Sequence, residues 1–293
     1  MTKIKYILSA LVLFLTLPAG AQVMPEVRFG NEAADTARIT ELIDGCVAAG
    51  LRTPEERVAY LAMQFVGIPY AAHTLEGEPE MLTVRMDSLD CTTFAETMLA
   101  LAQTAGDRRH SWRDFVYNLR RLRYRNGEIN GYPSRLHYNA EWAVDNIHRG
   151  NLKDATNLFP KISYLVRNID FMSRHRDSYP ALADSANFAR VRSTESGFRN
   201  HRFPYVKTGD LGNRAVRDAF HSGDVVALVA SNVPGLDVTH MGIVIRDEAG
   251  ELHLLHASLS KGRVSYEDQP LQEFMRKNRQ WLGMRVFRLD PGW

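Results

Sequence analysis

The segment Ser-Leu-Asp-Cys-Thr-Thr-Phe (residues 88–94) places Cys91 where a polar loop runs into an amphipathic helix. Apolar residues follow at helical spacing until Gly106, which predicts a central core helix that begins at Asp90 or Cys91. The partial positive charge at a helix N-terminus favours a thiolate, and burial of the helix fixes the backbone that carries it. The segment therefore predicts a cysteine that is nucleophilic near neutral pH.

Two histidines lie far downstream in strand-like surroundings, within Asp-Val-Thr-His-Met-Gly-Ile (237–243) and Leu-Leu-His-Ala-Ser (254–258). Side chains alternate between the two faces of a strand, so His256 can lie beside His240 on a neighbouring strand. His253 points to the opposite face from His256 and is left out of the candidate site. The spacing thus predicts a pair of imidazoles on adjacent strands.

Hydrolysis of an amide by a thiol needs a nucleophile, a proton for the departing nitrogen and a group that orients the base. We expect Cys91 to attack the carbonyl carbon, and His240 to pair with the thiolate and then protonate the leaving amine. His256 is expected to bond the far ring nitrogen of His240 and so fix its tautomer. The backbone N–H of Cys91 is a candidate oxyanion donor. Each residue alone is more often structural, but the three in this order favour catalysis.

Helices are predicted for the first part of the chain. Thr53 and Glu56 form a capping box that begins a helix over residues 53–66. Ser111 begins a further helix, and we expect the four arginines on its outer face to be solvated. Residues 128–205 show no repeat and no clear periodicity, so they are predicted to be inserted helical and loop elements around a site.

Strands are predicted for the last part of the chain, from residue 223 onwards. Apolar or alternating runs separated by turn residues there predict an antiparallel meander. The runs span residues 224–230, 238–246, 252–258 and 284–289. Helices followed by strands predict an α+β fold, in which N-terminal helices pack on one face of a central antiparallel sheet.

Residues 1–21 predict a signal peptide, because two lysines precede an apolar run and a small-residue cleavage site. Without them the chain has 34 basic and 34 acidic side chains, which gives no electrostatic case for a nucleic-acid partner. Residues 22–293 are expected to form a single domain that is exported, soluble and periplasmic, without stable membrane insertion.

The cysteine and histidine spacings exclude common metal motifs. Neither H-E-x-x-H nor C-x-x-C occurs, so we expect no metal and no cofactor. Cys46 is the only other cysteine. Its surroundings predict a buried apolar residue in a helix rather than a disulfide partner of Cys91.

Longer phrases of the sequence resemble a known family. The phrases are Gly-Ile-Pro-Tyr (67–70), Leu-Asp-Cys-Thr-Thr-Phe (89–94), Arg-Leu-His-Tyr (135–138), Gly-Leu-Asp-Val-Thr-His (235–240) and Leu-His-Ala-Ser (255–258). With them the chain resembles the N-acetylmuramoyl-L-alanine amidase-like branch of the NlpC-type cysteine peptidases. The resemblance covers about residues 55–290 and implies a papain-like fold.

The resemblance implies a Cys-His-His triad at Cys91, His240 and His256 in an enzyme that acts on peptidoglycan fragments. It implies cleavage of the amide between the muramoyl lactyl group and L-alanine, with a preference for soluble 1,6-anhydro muropeptides. Asn139 and Trp142 lie in the region that is the best candidate for sugar and peptide contacts. The resemblance also implies substrate contacts by Tyr70, which would help to bind the oxyanion, and by Asp90, Arg135, His137, Tyr138, Asp237 and Thr239.

Two alternatives stay open at this point. The triad is equally compatible with an endopeptidase that cuts between D-glutamate and the diamino acid of the stem peptide. The chain is also compatible with a non-catalytic muropeptide-binding protein on a hydrolase scaffold, although an intact triad disfavours that interpretation.

Overall fold

The computed structural model describes residues 26–107 and 110–290 of the chain. The signal peptide predicted over residues 1–21 lies outside the described residues. The helices are α1 (Glu32–Ala48), α2 (Pro54–Met63), α3 (Cys91–Gly106), α4 (Trp112–Arg123), α5 (Asn139–His148), α6 (Phe171–Arg174), α7 (Ser185–Gly197), α8 (Arg214–Asp218) and α9 (Leu271–Lys277). The strands are β1 (Val27–Phe29), β2 (Leu82–Val84), β3 (Leu152–Asp154), β4 (Ser163–Arg167), β5 (His201–Lys207), β6 (Val225–Ala230), β7 (Val238–Arg246), β8 (Leu252–Ser258), β9 (Arg263–Tyr266) and β10 (Trp281–Leu289).

An antiparallel sheet forms the centre of the molecule. Its strands run in the order β4-β5-β10-β6-β7-β8-β9, and β3 pairs with one end of β10. The predicted meander is confirmed, because β6, β7, β8 and β9 are consecutive antiparallel neighbours. The bounds predicted for β7 and β8 agree with the structure, whereas β10 begins three residues before its predicted start. A separate parallel pair joins β1 to β2.

Helices cover both faces of this sheet: the N-terminal helices pack on one face, as predicted, and short helices from later in the chain pack on the other. One face carries the N-terminal helices, and inward residues such as Ala227, Ile243 and Leu255 pack against α1 to α4. The other face carries Leu228 and Leu254. Because apolar residues of β6, β7 and β8 point to both faces of the sheet, both faces need a cover. The short helices α8 and α9 provide it on the second face.

Helix α3 is the central helix of the first face. Its N-cap is Asp90, whose carboxylate accepts a hydrogen bond from the backbone N–H of Thr93 at 2.7 Å. The Thr93 hydroxyl in turn accepts from the backbone N–H of Asp90. Every residue from 93 to 102 is buried. A helix that is enclosed on all sides is held by packing rather than by its own propensity. The backbone at Cys91 therefore has a rigid mount.

A buried ion pair joins α3 to α4. Arg123 Nε lies 2.7 Å from Glu96 Oε2, and Arg123 Nη1 donates to the carbonyl of Thr83 in β2 at 2.6 Å. Both charged side chains are about 97–98% buried. The prediction that all four arginines of α4 face solvent is therefore wrong for Arg123, because this side chain ties the cysteine helix to its neighbours.

We expect Arg123→Met to lower the free energy of unfolding by about 3–5 kcal/mol, since it leaves the buried carboxylate of Glu96 without its partner. Arg113 lies on the exposed face of the same helix, over the ring of Trp112. The control Arg113→Met should therefore change that free energy by less than about 1 kcal/mol. Urea unfolding measures both values, and equal midpoints for the two variants would contradict this account of the α3–α4 contact.

Residues 128–205 contain helical and loop elements, as predicted, and they also contain strands, which the prediction lacked. They contribute α5, α6, α7 and the strands β3, β4 and most of β5, and the strands extend the central sheet beyond β10. Pro204 lies within β5, where it pairs with Tyr164 of the edge strand β4. Proline removes a backbone donor and disfavours a strand assignment from sequence.

Candidate active site

The N-terminus of α3 lies at a cavity of about 260 Å³. Residues of β7 and of the start of α5 also line this cavity. Cys91, the first residue of the helix, and His240 of β7 both line this cavity. The full lining consists of Cys91, Thr92, Leu136, His137, Tyr138, Asn139, Trp142, Leu236, Val238, Thr239, His240 and Met241. Cys91 and His240 are thus 149 positions apart in the sequence and line the same cavity.

Burial dominates the electrostatics of the thiol. It raises the pKa of Cys91 to about 11, and the carboxylate of Asp90 adds to the effect. Hydrogen bonds from the backbone N–H of Met241 and from Thr92 oppose it only in part. Burial, together with His256, lowers the pKa of His240 to about 3. Burial thus disfavours both the thiolate of Cys91 and the imidazolium of His240, and the preformed ion pair expected from the sequence stays a prediction.

These pKa values predict the alkylation behaviour of Cys91. Below the pKa of the thiol, the thiolate fraction increases about tenfold per pH unit, so the rate of reaction with iodoacetamide should do the same between roughly pH 6 and pH 9. The measurement uses a Cys46→Ala background, so that only Cys91 reacts. A rate that is constant over this range would indicate a preformed ion pair and contradict the account.

Three side chains on β7, β8 and the end of β9 form a continuous hydrogen-bonded series. His240 Nε2 lies 2.6 Å from His256 Nδ1, and His256 Nε2 lies 2.9 Å from Glu267 Oε1. The ring of Trp281 stacks on that of His240, with centroids 5.6 Å apart. Trp281 also donates its Nε1–H to the hydroxyl of Thr239 at 3.0 Å. Stacking on Trp281 therefore restrains the plane of the His240 ring, and the contact with His256 restrains the position of its Nε2.

Sequence reasoning missed Glu267. Its place beside His256 follows from the pairing of β8 with β9, in which Ser265 lies opposite His256. The four-residue strand β9 was not among the predicted strands, so no register was available for it. An alternating apolar and polar pattern in Arg-Val-Ser-Tyr (263–266) is the signal from which β9 could have been found.

Five of the predicted substrate-binding residues lie at or beside the cavity. His137, Tyr138 and Thr239 line it directly. Asp90 is the N-cap of the cysteine helix. Tyr70 lies close enough to Cys91 and Asp90 that their charges add to the effect of burial, which raises the pKa of the phenol to about 12. Tyr70 therefore stays protonated and can donate a hydrogen bond.

Two of these side chains at the cavity already have protein partners. The Tyr138 hydroxyl donates to Glu195 at 2.7 Å and accepts from the backbone N–H of Met172 at 2.6 Å. His137 Nε2 lies 2.9 Å from the carbonyl oxygen of Tyr132, and burial lowers the pKa of this histidine to about 3. Both residues can shape the cavity wall, but their polar atoms are engaged elsewhere.

Arg135 and Asp237 lie outside the cavity lining. Arg135 is buried, donates to the carbonyl of Leu75 and pairs with Glu76 at 2.7 Å, so it holds the loop that precedes β2. Asp237 is wholly buried, and burial raises the pKa of its carboxyl group, which Arg285 opposes only in part. Neither residue lines the cavity that contains Cys91, and their assignment to substrate stays a prediction. Asn139 and Trp142, by contrast, do line the cavity.

Within residues 26–107 and 110–290, the structure brings together no group of three His, Cys, Asp or Glu side chains that could hold a metal ion. In the same described part of the chain, every helix is too short or too polar to cross a bilayer. Cys46 is a free, buried thiol in α1, as predicted.

A family model places the chain among known proteins. The AmiA-like model, described as N-acetylmuramoyl-L-alanine amidase-like, matches residues 60–284, which is more than half of the chain. The chain belongs to this amidase-like family. The resemblance to the amidase-like family, inferred from the sequence phrases, is thereby confirmed. No curated protein sequence is significantly similar to the chain.

Solved structures of similar proteins agree with the amidase-like family. An N-acetylmuramoyl-L-alanine amidase from Bacteroides uniformis is 34% identical, covers 81% of this chain and 99% of its own, and superposes with a TM-score of 0.74. A protein from Bacteroides fragilis, provisionally named a xylanase, is 36% identical and covers 78% and 99%, with a TM-score of 0.71. A Legionella pneumophila protein at 22% identity, with 89% and 97% covered and a TM-score of 0.67, shares the fold.

The residues that line the cavity can be compared with the two activities, amidase and xylanase, in the names of these solved structures. Glycoside hydrolases typically need two carboxyl groups that flank the bond to be cut. Among the described residues that line the cavity beside Cys91, none is Asp or Glu. A thiol and an imidazole are the reactive groups there. The described lining therefore does not contain the carboxyl pair that is typical of glycoside hydrolases.

Proposed function

We propose that this amidase-like protein is a cysteine hydrolase of cell-wall fragments, which cleaves the amide between the muramoyl lactyl group and L-alanine in soluble 1,6-anhydro muropeptides. The observation that carries the proposal is the shared cavity of Cys91 and His240, with His256 bonded to the far ring nitrogen of His240 at 2.6 Å. The proposed triad and papain-like arrangement are those that the resemblance to NlpC-type enzymes implies. The named activity of the Bacteroides uniformis relative supports the choice of bond.

The reaction begins with acylation of the thiol. Cys91 gives its proton to Nδ1 of His240 as the sulfur attacks the lactyl carbonyl carbon, so that the ion pair forms only with substrate bound. The oxyanion accepts from the backbone N–H of Cys91 and from the protonated phenol of Tyr70. His240 then returns the proton to the alanine nitrogen, the C–N bond breaks and the peptide leaves as a free amine.

Deacylation completes the reaction. Water loses a proton to His240 as its oxygen attacks the thioester carbon, and the proton passes to the departing sulfur of Cys91. One amide and one water are consumed, and the products are the muramoyl acid and the intact peptide with a free amine. A neutral His240 has a free ring nitrogen that can accept the proton in both steps, whereas burial, which lowers its pKa, makes it a weaker base.

The other substrate contacts and the location complete the proposal. We assign the walls of the sugar and peptide site to Asn139, Trp142, His137 and Tyr138, which line the cavity beside the thiol. Aromatic rings suit the apolar faces of sugars. The signal peptide proposed for residues 1–21 would deliver the enzyme to the periplasm, where wall fragments are released.

Mass spectrometry of products from an anhydro-disaccharide tetrapeptide tests the proposed bond. We expect the intact tetrapeptide with a free L-alanine amine, together with the disaccharide acid. A peptide that starts at the diamino acid would instead establish an endopeptidase. Binding without any product would establish a muropeptide-binding protein, and reducing sugar released from xylan would establish a glycosidase. Each of these three outcomes contradicts the proposal.

A further inference from the structure

Glu267 is held in place by backbone contacts on both sides. It follows directly after β9, its N–H donates to the carbonyl of Leu254 at 2.9 Å, and its own carbonyl lies 2.8 Å from Nδ1 of His253. The residue is only 5% exposed. Its carboxylate is therefore directed at His256 by the sheet itself rather than by a flexible loop.

Two cationic or hydrogen-bonding groups face this carboxylate. Oε1 lies 2.9 Å from Nε2 of His256 and 2.7 Å from the ammonium of Lys261, in the turn between β8 and β9. Burial opposes ionisation of Glu267, but the hydrogen bonds from His256 and Lys261 outweigh it, so the pKa lies below the usual value. Glu267 is thus a carboxylate at neutral pH and can only accept hydrogen bonds.

The protonation of both imidazoles follows from that charge. Because the carboxylate accepts, Nε2 of His256 must carry a hydrogen, and a neutral His256 then has a bare Nδ1. Burial lowers the pKa of His256 despite Glu267, which keeps the ring neutral. The bare Nδ1 of His256 accepts from His240, so Nε2 of His240 carries a hydrogen and its Nδ1 is left with a lone pair.

We propose that Glu267 is a positioning residue, which sets the tautomers of His256 and His240 so that His240 presents an unprotonated Nδ1 to the thiol of Cys91. The inference rests on the proposed function. The opposite tautomer of His240 would carry its hydrogen on Nδ1 and could not take the thiol proton. When His240 becomes an imidazolium during acylation, the negative charge of Glu267 stabilises it through the ring of His256.

The test replaces the carboxylate and uses a matched control. Glu267→Gln removes the charge and allows the side chain to donate as well as accept, so we expect kcat to decrease by about 10- to 100-fold at nearly constant KM. Asp247 is the comparable partner of a second strand histidine, with Oδ2 3.2 Å from Nε2 of His253. Asp247→Asn should leave kcat unchanged. A wild-type kcat in Glu267→Gln would overturn the proposal.

A spectroscopic measurement on the free protein separates this inference from the choice of substrate. In ¹⁵N-labelled protein, NMR should assign the ring hydrogen of His240 to Nε2, whereas Glu267→Gln should give a mixture of tautomers. An unchanged tautomer in the variant, or a hydrogen on Nδ1 in the wild type, would overturn the role of Glu267. Absence of muropeptide turnover by wild type would overturn the proposed function while this readout remains valid.

Lys261→Met provides a variant that is expected to fold. The lysine side chain is 43% exposed. Of the two groups described above that contact the carboxylate of Glu267, its removal leaves only His256. The pKa of Glu267 should then increase, and the acid limb of the kcat profile should move to higher pH. An acid limb at the wild-type pH in this variant would contradict a role for the ionised carboxylate.

Discussion

Cys91→Ala is expected to eliminate hydrolysis of an anhydro muropeptide, with a loss in kcat of about 10⁶-fold, which is the scale for removal of a triad nucleophile. The variant lacks the sulfur that forms the acyl-enzyme, and no other nucleophile lines the cavity at the start of α3 among the described residues, apart from the weakly reactive hydroxyls. Substrate binding should persist, because methyl replaces thiol without changing the walls. Chromatography of released peptide and calorimetric titration measure the two properties.

Cys46→Ala is the matched control for this prediction. Cys46 is also a buried thiol whose pKa is raised to about 11 by burial, but it lies in α1, away from the cavity. We expect it to retain turnover close to that of the wild type. Substantial residual hydrolysis by Cys91→Ala, or loss of turnover in Cys46→Ala at full folding, would show that the nucleophile is misassigned.

His240→Gln is expected to lower kcat by about 10⁴-fold or more, with a much smaller change in KM. The thiol of Cys91 has a pKa of about 11, so it depends on a base to lose its proton during attack. Glutamine keeps a polar side chain against the ring of Trp281 but cannot accept and return a proton. Steady-state kinetics with a defined muropeptide give both parameters.

His201 provides the control for the loss of a packed imidazole ring. His201 lies in β5, where it packs against Phe203 and Phe198, and it is absent from the lining of the Cys91 cavity. His201→Gln should keep kcat within a few-fold of the wild type. A kcat for His240→Gln within tenfold of the wild-type value would remove His240 from the catalytic role.

The parts of the fold that sequence predicted correctly are those in which local pattern and burial agree. Helix α3 is apolar at helical spacing, and its capping residue Asp90 stands directly before Cys91. Strands β7 and β8 are long, apolar and bounded by turns, so their ends could be predicted within a residue. The alternation of side chains then gave the pairing of His240 with His256 before any register was known.

The features that sequence reasoning could not supply depend on contacts between distant segments. The pKa of Cys91 depends on how closely β7 and α3 enclose the thiol, which the helix dipole alone does not reveal. Arg135 was assigned to substrate because of its family phrase, yet its partners Leu75 and Glu76 lie about sixty residues away. Glu267 depends on the register of a four-residue strand. Tertiary burial and pairing decide each of these.

Trapping of the acyl-enzyme with hydroxylamine tests the central claim most directly, because it reports the covalent route and the bond together. If Cys91 forms a thioester with the lactyl carbonyl, hydroxylamine competes with water and yields the muramoyl hydroxamate, while the same intact L-alanine-led peptide is released. The fraction of hydroxamate should increase with hydroxylamine concentration and vanish in Cys91→Ala. Formation of the free acid alone at every concentration, or a hydroxamate that still carries L-alanine, would contradict the account.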